Sequence, residues 1–236
     1  MYEGLGVLAI TAVSLGVIHT LTGPDHYIPF VAMAEARKWS LRKTMLITLL
    51  SGVGHILSAV IIGLAGIMVG HSLEKLQIFD NIRGNFASWL MIAFGFVYLA
   101  YGIIKAVRNK THRHTHLHFK SPAHFHDHAH NDEHAHVHAG EKRDISAWII
   151  FTLLVFGPCE PLIPVLIIPT LKNSIVYTVI ITGLFAVSTI ITMLIAVSFL
   201  YLGVKNVFPE RILRFNHAIA GGAILMSGLA VKYLGL

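Results

Sequence analysis

Long apolar stretches, punctuated by short clusters of charge, set the pattern of this chain. Six of them run at about 4–35, 44–70, 86–107, 145–170, 174–204 and 212–235. Each reaches the ~20 residues that an α-helix needs to cross a hydrocarbon core. The first begins almost at Met1, with neither a basic n-region nor a small-residue cleavage site. It therefore reads as a retained span, not as a cleaved signal peptide. The expected fold class is an all-α integral membrane protein with six transmembrane helices.

Two stretches are interrupted. The first contains Gly23-Pro24-Asp25-His26 and then Pro29; the fourth contains Gly157-Pro158-Cys159-Glu160-Pro161 and then Pro164. Proline removes a backbone donor and its ring collides with the preceding turn, so helices one and four should bend or unwind there. Other features recur in the same order through both halves. Ser51-Gly52 matches Thr182-Gly183, and the spacing of Gly95 and Gly102 matches that of Gly221 and Gly228. The pattern predicts one three-helix repeat over 1–107, a loop over 108–144 and a second three-helix repeat over 145–236. An odd number of spans inverts the second copy across the bilayer. In such inverted repeats, matching broken helices mark a binding site near the midplane.

Composition changes the picture by exclusion. Of 236 residues, 55% are hydrophobic and only 13% charged, whereas soluble domains are nearer a quarter charged. Fourteen of the lysines and arginines lie in the links between stretches one and two, three and four, and five and six, against four on the other side. The positive-inside rule places the first group in the cytoplasm of a prokaryotic cell whose inner membrane holds the chain. Both termini then lie outside and the long loop inside. The formal net charge of +6 is spent on topology and implies no nucleic-acid partner. The lone cysteine, Cys159, excludes an internal disulfide or dithiol relay.

The candidate chemistry sits at the two interruptions. His19, Asp25 and His26 lie in the first broken stretch, and ionisable residues inside a span face a cavity or one another. Imidazole and carboxylate suit Ni, Co, Zn and Fe. The repeat aligns Asp25 with Cys159 and His26 with Glu160, so pseudo-symmetry would gather all four, with Cys159 as thiolate. His55 adds an imidazole from the middle of the second stretch, with Ser51 and Ser58 on its face. The bland readings are a proton relay for Asp25 and His26, an interhelical hydrogen bond for His55 and a packing role for Cys159. For Glu160 the bland reading is a helix-end acceptor or a gate. His71 and His217, near span ends, read as interfacial. Loop 108–144 carries His112, His114, His116, His118, His124, His126, His128, His130, His134, His136 and His138. It is polar, has no apolar period and is expected to be disordered without metal. Histidine-rich tracts of this kind capture divalent transition metals.

The run His19-Thr-Leu-Thr-Gly-Pro-Asp25-His26 with Pro29 resembles the signature of the nickel/cobalt transporter superfamily, in particular its UreH-like membrane branch. The stretch from Gly157 to Leu162 resembles that branch's second signature, and the histidine-rich loop resembles that of nickel/cobalt exporters. Two departures stand out. Five residues separate His19 from Asp25 where the permeases have four, and those permeases have more spans. The wider group is similar to the membrane thiol-relay proteins of cytochrome c maturation, which use a cysteine in each broken span; here the first is Asp25.

The resulting expectation is a secondary transporter of a divalent transition-metal ion, nickel or cobalt foremost. The residues His19, Asp25, His26, His55, Cys159 and Glu160 would handle the ion, with the loop either a collector feeding an exporter or a buffer receiving imported ion; the direction is open, with export slightly favoured. The metal is cargo; no catalytic residues and no cofactor are expected, and the chain is not read as an enzyme. Bilayer lipid, a metallochaperone or a second copy of the chain are the expected partners. The competing expectations are a membrane thiol/redox relay and an exporter of small, sulfite-like anions. His-Glu-x-x-His protease spacing is absent.

Overall fold

A computed structural model describes residues 2–69, 73–108, 112–118, 121–128, 145–159, 161–171, 175–204 and 214–235. Glu160, His71 and the loop positions His130, His134, His136 and His138 lie outside the described residues.

The first interruption behaves as the prolines dictate. Helix α1 (Tyr2–Thr22) closes with Gly23 N–H donating to the His19 carbonyl at 3.0 Å. Pro24 has no N–H to continue the ladder, and the chain passes through one 3₁₀ turn, Pro24–His26. Helix α2 (Ile28–Arg37) restarts with Pro29 in its first turn, where a missing donor costs nothing. The two pieces of the span are bent by 84°. Helices α3 (Leu41–Met68) and α4 (Leu73–Arg108) follow. The second interruption separates α5 (Ile145–Val155) from α6 (Leu162–Leu171), and α7 (Ile175–Val204) and α8 (Asn216–Leu234) complete the order.

Among the described residues, four helices are long and apolar enough to cross a membrane, and up to five spans result if the bent pair counts as one. The sequence pattern predicts six. The difference is the fourth stretch, whose halves have 11 and 10 residues; at 1.5 Å per residue, each is too short to cross alone. The third stretch starts earlier than expected. Helix α4 begins at Leu73, not near 86, because Asp80 and Arg83 neutralise each other within it, with Arg83 Nη2 2.6 Å from Asp80 Oδ1. Part of the histidine loop also departs from the expected disorder. His112–His118 (β1) and Ser121–His128 (β2) pair antiparallel, with His112 opposite His128, His114 opposite His126 and His116 opposite His124. Alternation at period two is the spacing that a strand accommodates.

Helix α3 shows why the bundle needs a bilayer. Its buried positions are Thr44, Thr48, Ser51, Gly52, His55, Ile56, Ala59, Gly63 and Gly66. Leu46, Leu50, Val53, Leu57 and Ile61 face outward and are exposed. Polar and small residues inside, with bulky apolar residues outside, suit a solvent of lipid tails. The chain is thus a multi-pass membrane protein whose helices contact lipid.

Packing is set by small residues. A Cβ on Gly95 would strike the Leu225 backbone, one on Gly102 the Ala218 backbone and one on Gly221 the Leu99 backbone. The four glycines noted in sequence therefore line one close crossing of α4 and α8. Other pairings come in twos: α1 packs on α7 and α5 on α3; α2 packs on α8 and α6 on α4; α2 packs on α3 and α6 on α7. Basic and aromatic groups gather at one end. Lys43 lies over Trp39, Arg37 over Tyr98 and Lys105 over Tyr101. His217 also joins this cluster, 2.8 Å from the Tyr98 hydroxyl and 3.1 Å from Lys105 Nζ.

Candidate metal centre

Three histidines converge where the first break meets α3. His19 occupies the last turn of α1, His26 the 3₁₀ turn and His55 the middle of α3. The His26 ring lies 4.7 Å from that of His19 and 5.2 Å from that of His55, edge-on to both. One ring nitrogen from each falls within 4.8 Å of the others. Gly23 makes this turn possible. A Cβ there would stand 2.6 Å from His26 Nδ1 and 2.9 Å from Asp25 Oδ1.

Hydrogen bonding fixes which nitrogen the His26 and His55 rings offer. His26 Nδ1 is 3.0 Å from Asp25 Oδ1 and 3.2 Å from the Gly23 carbonyl. Both partners are acceptors, so Nδ1 carries the proton and the Nε2 lone pair is left. His55 Nδ1 donates to the Leu154 carbonyl at 2.8 Å, with the same consequence. The Nε2 atoms of His19, His26 and His55 are all buried without a hydrogen-bond partner. A ring oriented through Nδ1 by a carboxylate or carbonyl, presenting Nε2, is the arrangement of a metal-ligating histidine.

The second break supplies orientation. Pro158 cannot donate to the Leu154 carbonyl, four residues back, which instead accepts from Gly157 N–H at 2.9 Å and from His55. The Val155 carbonyl loses its helical donor as well and accepts from Ser58 Oγ at 2.8 Å. That donor, Cys159 N–H, turns away to Asp80 Oδ2 at 3.2 Å. The two breaks approach each other, since a Cβ on Gly157 would lie 3.8 Å from Asp25 Oδ2. A cavity lies beside His19 on one side. It has a volume of about 610 Å³ and runs past Thr22, Asn81, Asn85 and Ser88, with Lys232 at its rim. On the other side, Ser51, Thr48 and Thr44 continue a buried polar line along α3.

The sequence gathers Asp25, His26, Cys159 and Glu160 across the two breaks, with His19 and His55 beside them. Among the described residues the geometry brings His19, His26 and His55 together, and Asp25 meets the His26 ring. Cys159 is fully buried in an apolar cluster with Ala12, Ile56, Ala59, Leu162 and Phe185, and it is not one of the converging ligands. Glu160 lies outside the described residues. Of the loop histidines, those from His112 to His118 and from His124 to His128 sit on the paired strands. Asp80, Arg83 and the bridging role of Ser58 escaped the sequence reading. The available signal was an acid and a base three residues apart, ahead of an uncharged run.

Comparison with known proteins places the chain in a family. No curated protein and no solved structure matches the chain. A family described as the cytochrome C biogenesis protein transmembrane region matches residues 27–230. The match spans His55, the second break and Cys159, and it begins one residue after His26. It covers most of the chain, and the protein belongs to the family of the cytochrome C biogenesis protein transmembrane region.

Proposed function

We propose that this protein is a secondary transporter of a divalent transition-metal ion, nickel or cobalt foremost, with His19, His26 and His55 as its midplane ligands. The observation that carries the reading is the trio of buried, unpartnered Nε2 atoms. A buried acceptor left unbonded costs about 1–3 kcal/mol, a cost that an apolar core would avoid and a bound ion would reverse. An ion held tetrahedrally at about 2.0–2.1 Å sets its ligand nitrogens about 3.3 Å apart. The trio, spread over 4.8 Å, would have to tighten by about 1.5 Å on the ion. Three protein ligands leave a coordination position open, which suits a site that must also release its cargo. The paired packing of α1 with α7 and α5 with α3 supports a 3+3 inverted repeat in which α5 and α6 act as one broken span. The histidine-rich hairpin would collect ion on the cytoplasmic side.

The direct test is ion flux in proteoliposomes, with Ni(II), Co(II), Zn(II) and Fe(II) offered separately. His26→Asn and His55→Gln should abolish flux of the preferred ion. Flux that survives both substitutions removes the reading. In cells lacking the protein, accumulation of that metal marks export and depletion marks import.

Family membership favours a second reading, a thiol relay, because the resemblance noted above links this group to proteins with a cysteine in each broken span. Cys159 stands at the second break, but Asp25 occupies the matching place in the first. A dithiol–disulfide cycle needs two sulfurs, and Cys159 is the only cysteine in the sequence. Such a relay would need a thiol from a partner. Loss of a redox phenotype in Cys159→Ser, with metal flux unchanged in His26→Asn, would establish this reading over the first.

A further inference from the structure

Between the second break and α3 lies a buried polar bridge that the metal site does not itself require for ligands. Arg83 and Asp80 are 7% and 3% exposed and paired at 2.6 Å. Each also reaches the broken span. Asp80 Oδ2 accepts from Cys159 N–H at 3.2 Å. Arg83 Nη1 donates to Ser58 Oγ at 3.3 Å, and Ser58 Oγ lies 2.8 Å from both the Val155 and the His55 carbonyls. Next to Val155, the Leu154 carbonyl holds His55 Nδ1 at 2.8 Å. Gly84, on the same helix, packs on Pro158 so closely that a Cβ would meet the proline ring at 2.6 Å.

We infer that Asp80, Arg83 and Ser58 are positioning residues for the metal site: they fix the unwound backbone at Leu154–Cys159, and that backbone fixes the tautomer and aim of His55. The inference rests on the proposed metal site and deepens it. The logic follows from what unwinding leaves behind. Break two frees the Val155 carbonyl and the Cys159 N–H, which water cannot satisfy in the protein interior. Ser58 and Asp80 take those two groups. Without them the segment would be free to rewind or shift, and the Leu154 carbonyl would move with it. An ion pair is suited to the role because its two ends hold the N–H and the C=O sides of the break at once. Groups of this kind, one step removed from the ligands, change metal affinity by about 10–100-fold when lost.

Co(II) binding to the purified full-length chain in detergent tests this, with the loop histidines between 112 and 138 changed to serine in every sample so that they take no ion, read by calorimetry and by the d–d absorption of the bound ion. Ser58→Ala and Arg83→Gln should each weaken Co(II) about 10-fold or more and alter the absorption envelope. Because Arg83→Gln strands a buried Asp80 and can fail to fold, Ser58→Ala is the decisive variant. Thermal unfolding without metal checks that it is intact. Arg83→Lys, which keeps the charge but not the two-pronged reach, should recover binding only in part. In a His55→Gln background, Ser58→Ala should cost no further affinity, since its effect passes through His55. Parent binding that Ser58→Ala leaves unchanged, or an equal loss with and without His55, overturns this inference while leaving the metal site standing. A parent protein with the loop histidines replaced and His19, His26 and His55 intact that takes up no Co(II) overturns both.

Discussion

Asp25 meets the candidate centre through a single oxygen on His26 Nδ1. Its effect should therefore lie in the basicity and aim of one ring, not in the number of ligands. Asp25→Asn retains an acceptor oxygen but loses the charge. Metal affinity should fall about 10-fold or more with the fold preserved, as calorimetry with Ni(II) or Co(II) would show. Unchanged affinity would mean that the Gly23 carbonyl alone orients the ring. Cys159→Ser is the opposite case. The thiol is enclosed by apolar side chains, so the substitution should leave metal affinity within about twofold and cost about 1–3 kcal/mol of stability, the price of a buried hydroxyl without a partner. Thermal unfolding and calorimetry on the same sample separate the two effects. The sequence made His19, Asp25, His26 and His55 legible because ionisable residues stand out against uncharged surroundings. It hid Asp80 and Arg83 because a charge in a link and a charge cancelled three residues away read alike. The repeat aligns Asp25 with Cys159, yet among the described residues each break recruits its own partners for the groups it frees.

At the scale of elements, the two breaks divide the work. Break one carries the candidate ligands His19 and His26, in a turn where a Cβ at position 23 would crowd the His26 and Asp25 side chains. Break two carries carbonyls, and its free groups reach across to α3 and α4. Both were readable as prolines in apolar stretches, whereas the partners that satisfy them required three dimensions. The α4–α8 crossing was legible in part, since the glycine spacings were visible but not that they face one another. Gly221 abuts the Leu99 backbone, and a main-chain neighbour cannot swing aside as a side chain can. Gly221→Val should therefore destabilise by about 3 kcal/mol or more and disperse the size-exclusion peak. Gly183→Val provides the contrast, because nothing lies within 4 Å of a Cβ there. It should unfold at the wild-type temperature. Equal damage from both would mean that α4 and α8 do not approach as closely as described.

Across the whole molecule, the candidate centre sits between two unlike ends. Arg37, Lys43, Lys105 and the start of α8 cluster at one end, where α4 runs out toward the histidine-rich hairpin. The cavity that reaches His19 is lined at the opposite end, by the first turns of α4 and the last turn of α8. Buried Thr44, Thr48 and Ser51 run along α3 from the basic end toward the trio. On the proposed reading the loop adds local ion concentration without belonging to the midplane site, and the two roles should separate. Removing residues 112–138 should leave the maximal flux of proteoliposomes unchanged, because His19, His26 and His55 remain. It should raise the half-saturating concentration only when metal is offered from the loop side, since a tethered donor acts through effective concentration and not through new contacts. Orientation-resolved vesicles, with the loop accessible to added protease in one population alone, make this measurable. A fall in maximal flux, or an equal effect from both sides, would instead make the hairpin part of the transport path itself.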